Sequence, residues 1–558
     1  MRFPEPTPPP YDPFVWQKLP FPEKCRLVCQ AWALQGYGTP LPVYGVYIVK
    51  ILLLYIGGWA FFCSFTPGLG NILSISSWWF EPVAFQKAVL WSMAYEGLGL
   101  GCGSGPLTGR YYPPIGGLLY FARPGTTKMP LFPGLPILGG SRRSYLDVGL
   151  YVAHYAFLLR ALTAPELTPA LLLPTVILLP VLGLADKTLF LVSRAEHYYS
   201  MMVCFLFAGD WIAGSKVVQL GIWFWAASSK LNHHFPAVIA VMTSNNPFLR
   251  SEAIRKRMYR NFPDDLRPSG LARLMAHLGT LTEYSFPILL VLSPGGWPTA
   301  LGLAVMLGFH IYITSNVPMA VPIEWNVMMV YGAFFLFGHH SAVSVFSLHS
   351  PVLMGYLLVA LLFVPLIGNF FPAWVSFLVS MRYYAGNWAY SIWLFKGDSS
   401  RKLDEHLTKT SPRVADQLRR FYDEKVIIGT LGKIIAFRMM HLHGRALHTL
   451  LPRAVDNIDD YEYLDGELVS GVVLGWNFGD GHLHNLQLLR AVQEQCGFEK
   501  GELRCIFVES QPFLGSTMKW TIADAKTGVM EEGEIAIEEI RERQPWPQNT
   551  ADFESPAR

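Results

Sequence analysis

Between Val43 and Leu394 the chain is a succession of apolar blocks, separated by short polar or Gly/Pro-rich breaks. No other feature restricts the fold as much. A helix crossing the bilayer core needs roughly 20 mostly apolar residues, because there the backbone must satisfy its own hydrogen bonds. The blocks lack the two-residue alternation of barrel strands, which excludes a β-barrel. Candidate spans fall at 43–66, 83–103, 145–163, 169–192, 196–212, 215–232, 272–293, 297–318, 325–346 and 352–370. Composition agrees. Apolar residues make up 51% and charged residues 15%, against about 25% charged in soluble proteins. The expected fold is an α-helical polytopic membrane protein of about 10 spans with a small C-terminal α/β soluble domain.

The ends differ from the middle. Residues 1–42 form a proline-rich arm, PEPTPPPYDP at its start, without the apolar core or cleavage site of a secretory signal. A short amphipathic helix is expected at Pro22 to Leu34. The transmembrane region then covers 43–395. Its last piece, 373–395, carries Arg382, Tyr383, Trp388, Tyr390 and Trp393. It reads as an interfacial helix, or alternatively as an eleventh span. Residues 396–460 read as a helical linker region and 461–543 as the α/β domain, with 544–558 disordered. Within that domain ELVSGVVLGW, LRCIFVES, MKWTIAD and GEIAIEEI are expected strands. HNLQLLRAVQEQCG is an expected helix and KTG a turn.

Lysine and arginine set orientation. They cluster in the loops near 104–144 and 250–273 and just after the last span. Ten spans with a cytoplasmic N-terminus put all three clusters inside. The expected location is the cell inner (plasma) membrane, multi-pass, with the C-terminal domain cytoplasmic. The formal charge of +3 is a sum of local clusters, and no nucleic-acid partner is expected. The seven cysteines form no paired CxxC motifs, so neither a zinc site nor a disulfide framework is expected. GWNFGDG at 475–481 is glycine-rich but is not GxGxxG, and reads as a structural turn. Paired histidines at 233–234 and 339–340, together with His154, His277 and His310, lack the close HxxxH spacing of membrane iron enzymes. HLHGRALH at 441–448 comes near it but lies in the tail. No metal is assigned.

The chemistry concentrates at Arg194 to Phe235, where two apolar runs flank a polar turn at Asp210 to Lys216. His197 opens the first run and Lys230 closes the second. Each lies 16 to 17 positions from the turn centre, about 24–26 Å along a helix, so an antiparallel pair sets both at one depth. Ionisable groups held there are expensive and often functional. Lys50, Glu96, Asp147, Asp186, Lys187, Glu196, Asp210, Lys216 and Glu324 also lie in or beside spans. Asp186 and Lys187 point about 100° apart on a helix and need not pair. Glu283 sits about three turns into its span.

EHYYSMMVCFLFAGDW followed by KVVQLGIWFWAASSKLN resembles the core of the HTTM superfamily, which includes vitamin K-dependent gamma-carboxylase. The matching features are His197, the Ala208-Gly209-Asp210 turn, Gln219 and Lys230-Leu231-Asn232. The resemblance implies that Lys230 is a base toward a quinol and that His197 is functionally important. The whole chain also resembles a family of uncharacterised actinobacterial polytopic membrane proteins. A neutral amine in an apolar pocket is a competent base toward a hydroquinone hydroxyl. The expected catalytic pair is therefore Lys230 and His197, with His233, His234 and Glu283 as substrate-binding candidates and a quinol as the cofactor or substrate. The bilayer, and a quinone or lipid ligand, are the expected partners. The alternative is a non-catalytic transporter or membrane scaffold with a cytoplasmic docking domain, in which Lys230 merely snorkels to the headgroups.

Overall fold

The computed structural model describes residues 4–101, 115–316, 323–383 and 386–547. The chain is mostly helical. Four helices are long and apolar enough to cross a membrane: Leu41–Cys63, Gly270–Leu292, Gly296–Asn316 and Pro351–Phe370. A bent pair, Glu424–Met439 and Leu442–Ala454, meets at 101° and would make a fifth if counted as one span. Only 28–33% of the residues in the four long helices are buried; the rest form an apolar surface suited to lipid.

The expected count of ten spans is therefore not supported by helix length and composition. Polar groups break several of the expected segments. The 169–192 block stops at Asp186, whose carboxylate accepts the Thr188 N–H and pairs with Arg143. That cap ends one helix at Ala185 and starts another at Lys187. The 196–212 block yields a π-helix, Ala195–Tyr199, and the single turn Ser200–Cys204. Helix Pro82–Gly97 has all but its first two residues buried, so it fills the bundle instead of facing lipid. The remainder of the 83–103 block, beyond 101, lies outside the described residues.

The C-terminal region departs from expectation at three elements, one of them GEIAIEEI, where the strand stops at Ala536 and helix Ile537–Glu542 follows. Residues 371–383 run through turns, and Tyr390–Lys396 is a strand, not an interfacial helix or a further span. Six of its seven residues are buried, the signature of a central strand covered on both faces. After the short hairpin β1 (Tyr259–Asn261) and β2 (Asp265–Pro268), this strand is β3. It joins β4 (Tyr461–Asp465), β5 (Leu503–Val508), β6 (Thr517–Asp524) and β7 (Gly528–Ala536) in an antiparallel sheet of order β4-β3-β5-β6-β7. The sheet thus draws a strand from ahead of 396. ELVSGVVLGW is helix Gly466–Leu474, not a strand. Asp465 caps it by accepting the Glu467 N–H, and it ends on Gly475 at φ 85°. The helix Leu486–Cys496, closed by Gly497 at φ 60°, and the turn at Lys526–Gly528 agree with expectation.

The arm does not stray from the body. Its helix Phe21–Gln35 buries Cys25, Val28, Cys29 and Trp32, one face at helical spacing, as the amphipathic pattern predicts. Trp32 packs at a tilt against Phe437 and donates to the Val241 carbonyl. Gln544 and Trp546 are buried, and Gln544 bonds to Asp265 and Leu266. The expected disorder from 544 therefore does not begin there, and residues 548–558 lie outside the described part.

Candidate functional site

A cavity of ≈ 100 Å³ lies among helices Trp211–Ser229, Phe235–Asn245, Gly270–Leu292, Gly296–Asn316 and Ile323–Ala333. Its walls are mainly apolar and aromatic, from Trp223 and Ala226 on helix Trp211–Ser229 to Met242, Met275, Phe309 and Trp325 on four further helices. Lys230 is the C-terminal cap of helix Trp211–Ser229, where the carbonyl ends favour a cation. Its ammonium pairs with the Glu283 carboxylate across the cavity wall, and each side chain is 5% exposed. The same ammonium lies 5.8 and 5.9 Å from the Phe235 and Phe309 ring centres, an attraction to the ring faces. The snorkelling alternative for Lys230 is thus not what the structure shows.

A second polar group faces the cavity from helix Gly296–Asn316. His310 Nε2 lies 3.2 Å from the Trp223 indole nitrogen and Nδ1 lies 2.8 Å from Asn326 Oδ1. The indole can only donate, so Nε2 accepts. Nδ1 then carries the proton and donates to the amide oxygen, which fixes a neutral tautomer. Tyr383 closes another part of the wall and donates to Glu196 Oε1 at 2.8 Å. Glu196 belongs to an adjoining cluster, with Arg194 Nη1 at 3.5 Å and Glu96 4.0 Å from Arg194 Nε. Lys50 and Glu324 pair at 3.1 Å.

The expected site residues separate. Lys230 and Glu283 come together. His197 does not line the cavity. Its ring packs on Tyr198 and, 6.0 Å between centres, on Trp325, which does line it. Trp325 thus touches both His197 and the cavity. His234 is buried beside Gly386 and near His441, toward the C-terminal domain, and His233 is exposed. Neither touches the cavity. Sequence spacing placed His197 and Lys230 at one depth but could not give their direction around the bundle, and His233 and His234 were candidates only by their nearness in sequence. It weighed His310 only as a metal ligand and Tyr383 only as an interfacial aromatic, and it passed over Asn326 and Trp325. The signal for His310 and Asn326 was a polar residue inside an apolar run; Tyr383 fell in the segment read as interfacial.

The other ionisable positions are structural. Asp186 and Lys187 bond to Arg143 and Gln487 and not to each other. Asp210 accepts the His349 and Ser350 N–H groups, Lys216 donates to two carbonyls, and Lys128 holds Asp147 at 2.8 Å. Gln219 donates to the Met329 carbonyl. GWNFGDG links helix Gly466–Leu474 to a short 3₁₀ turn, with Gly479 N–H donating to Glu467. Among the described residues no group of three or more His, Cys, Asp or Glu side chains could hold a metal ion. In HLHGRALH, His441 and His443 pack at a tilt against Trp388, while His448 faces Phe21 and Tyr463.

Over residues 1–555 the chain matches a family described as transmembrane protein of unknown function (DUF3556), and it belongs to that family. No curated protein and no solved structure matches it. The family match lends no support to the HTTM resemblance drawn at residues 194–235.

Proposed function

We propose that this transmembrane protein is a membrane-embedded enzyme whose cavity takes the polar head of a quinol or lipid-like molecule between Lys230 and Glu283. The observation that carries the reading is that ion pair on the wall of an otherwise apolar cavity. Two charges brought out of water cost several kcal/mol each, and the pair, with the rings around it, does not need a cavity to be satisfied. A ligand hydroxyl entering there meets a base and a cation together. The proton passes to Glu283, and the Lys230 ammonium faces the resulting oxyanion. The base is thus Glu283, with Lys230 as its cationic partner, in place of the lone neutral lysine that the sequence suggested.

The observation favouring a non-catalytic transporter or scaffold is that the pair is internally neutral as it stands. An azidoquinone photoprobe, applied to the full chain in lipid, distinguishes the two readings. Cross-links on Phe235–Asn245 and Gly270–Leu292, competed away by unmodified quinone, are expected. Labelling spread over the lipid-facing surface and unaffected by competitor would contradict the enzyme reading. A plasma-membrane protein with a cytoplasmic C-terminal domain fits the arginine-rich hairpin at 250–269. That hairpin packs against the arm and the C-terminal segment through Gln30, Leu34 and Glu542, and positive loops stay inside.

A further inference from the structure

The loop between β5 and β6 carries an exposed leucine in a strained backbone. Leu514 is 65% exposed and has φ 55°, a left-handed conformation that non-glycine residues seldom adopt. The loop is not slack. Asn387 and Gln511 exchange two bonds, Asn387 Nδ2 to the Gln511 carbonyl at 2.8 Å and Gln511 N–H to Asn387 Oδ1 at 2.7 Å. Gly515 N–H closes the turn on the Pro512 carbonyl at 2.8 Å. An apolar side chain is therefore held outward by a rigid support.

Its depth follows from its neighbours. Phe513 N–H donates to the Asn369 carbonyl at 2.7 Å, and the Phe513 ring meets Phe370 edge-on at 5.7 Å. Phe370 is the last residue of the span-length helix Pro351–Phe370. Leu514 N–H donates to Asn232 Oδ1 at 2.9 Å, just past Leu231, which is 49% exposed. Beyond the helix end Phe371 stacks on Trp374 at 5.0 Å, and Trp374 is 75% exposed. A span end marks the headgroup region, where aromatic side chains collect. A loop bonded to that end shares its depth.

We propose that the Pro512–Gly515 loop, with Leu231, Phe370, Phe371 and Trp374 around it, is a membrane-surface contact that seats the C-terminal domain on the bilayer by inserting Leu514 among the lipid headgroups. The occupant is the bilayer and not a second protein, because the patch is continuous with the lipid-facing surface of a spanning helix. The domain is then peripheral to the membrane, tied to it by a loop that also touches the end of the Lys230 hairpin.

The test uses the full chain in nanodiscs, with Leu514→Cys on a Cys102→Ser background carrying the fluorophore NBD; the six described cysteines are buried. A control label at Thr527→Cys sits at the far end of the β6–β7 hairpin, roughly 25 Å away at ~3.3 Å per residue. At Leu514 the emission should be blue-shifted, quenched by lipids brominated near the glycerol, and resistant to aqueous iodide. The control should show the reverse. Iodide quenching at Leu514 without lipid quenching would overturn the proposal by placing the loop in water. Protection from both quenchers would also overturn it, by placing the loop under protein.

Discussion

At the scale of single residues, Lys230 and Glu283 should behave as one unit. Lys230→Met alone leaves a carboxylate buried without its cation, and breaking such a pair costs about 3–5 kcal/mol. The double variant Lys230→Met/Glu283→Leu leaves no orphaned charge and should be more stable than the single. Thermal unfolding of wild type, Lys230→Met, Glu283→Leu and the double variant in one detergent measures this, and additive losses would show that the groups are not coupled. A second pair, His482 and Glu509, 3.0 Å apart in the C-terminal domain, sets a pH window. Burial works against both charges, yet Glu509 holds the imidazole above its ordinary 6.5, and the imidazolium holds the carboxylate below 4.5. The raised histidine stabilises fully below 6.5 and loses that contribution as pH climbs through its folded value. The lowered carboxylate stabilises above 4.5 and loses it as pH falls through its own. Wild type should therefore exceed Glu509→Gln in stability most strongly between about pH 4.5 and 6.5, by about 1–3 kcal/mol. A difference that grew steadily toward pH 9 would contradict the assignment.

At the scale of elements, the sequence was legible where length alone decides. The four longest uninterrupted apolar helices lie where the blocks placed them, as do helix Leu486–Cys496 and strands β5 and β6. It was least legible where an apolar run is short and buried all round, since such a run has no exposed face to give it a period. Residues 466–474 and 390–396 are both of this kind, and only their caps and sheet neighbours separate helix from strand. Close helix approaches were also hidden. A Cβ at Gly332 would come within 2.4 Å of Gln219 Oε1, whereas one at Gly308 would meet nothing within 4 Å. Gly332→Ala should lose about 1–3 kcal/mol through overpacking, and Gly308→Ala should be neutral or stabilising by up to about 1 kcal/mol. Comparing the two melting temperatures checks this; equal values would mean that Gln219 yields freely.

At the scale of the whole molecule, contacts restrict how the chain threads the bilayer. The arm, the 250–269 hairpin and the C-terminal segment touch one another, so they share one side. Crossings at Leu41–Cys63, Gly270–Leu292, Gly296–Asn316 and Pro351–Phe370 alone would put the hairpin opposite the arm. If all four cross, the shared side predicts an odd number of further crossings before 250 and another between 316 and 351. For the second, the continuous helical run from Ile323 to His339, about 25 Å long, is suited. Thiol labelling of Ser251→Cys and Ser399→Cys should occur from one side and of Ser344→Cys from the other; Ser344 and Ser399 labelled together would break this threading. The division into membrane region and C-terminal sheet was legible from charge density, but the packing of arm, hairpin and tail was not, because it rests on contacts between residues hundreds of positions apart. The cavity lies between the helices that carry Glu283 and His310 and the end of the helix capped by Lys230, and its occupancy is the most direct test. Native mass spectrometry of the full chain released from nanodiscs should show a quinone or lipid adduct on wild type that is lost in Lys230→Met/Glu283→Leu. The same adduct on both proteins, or none on either, would contradict a head-group site at Lys230 and Glu283.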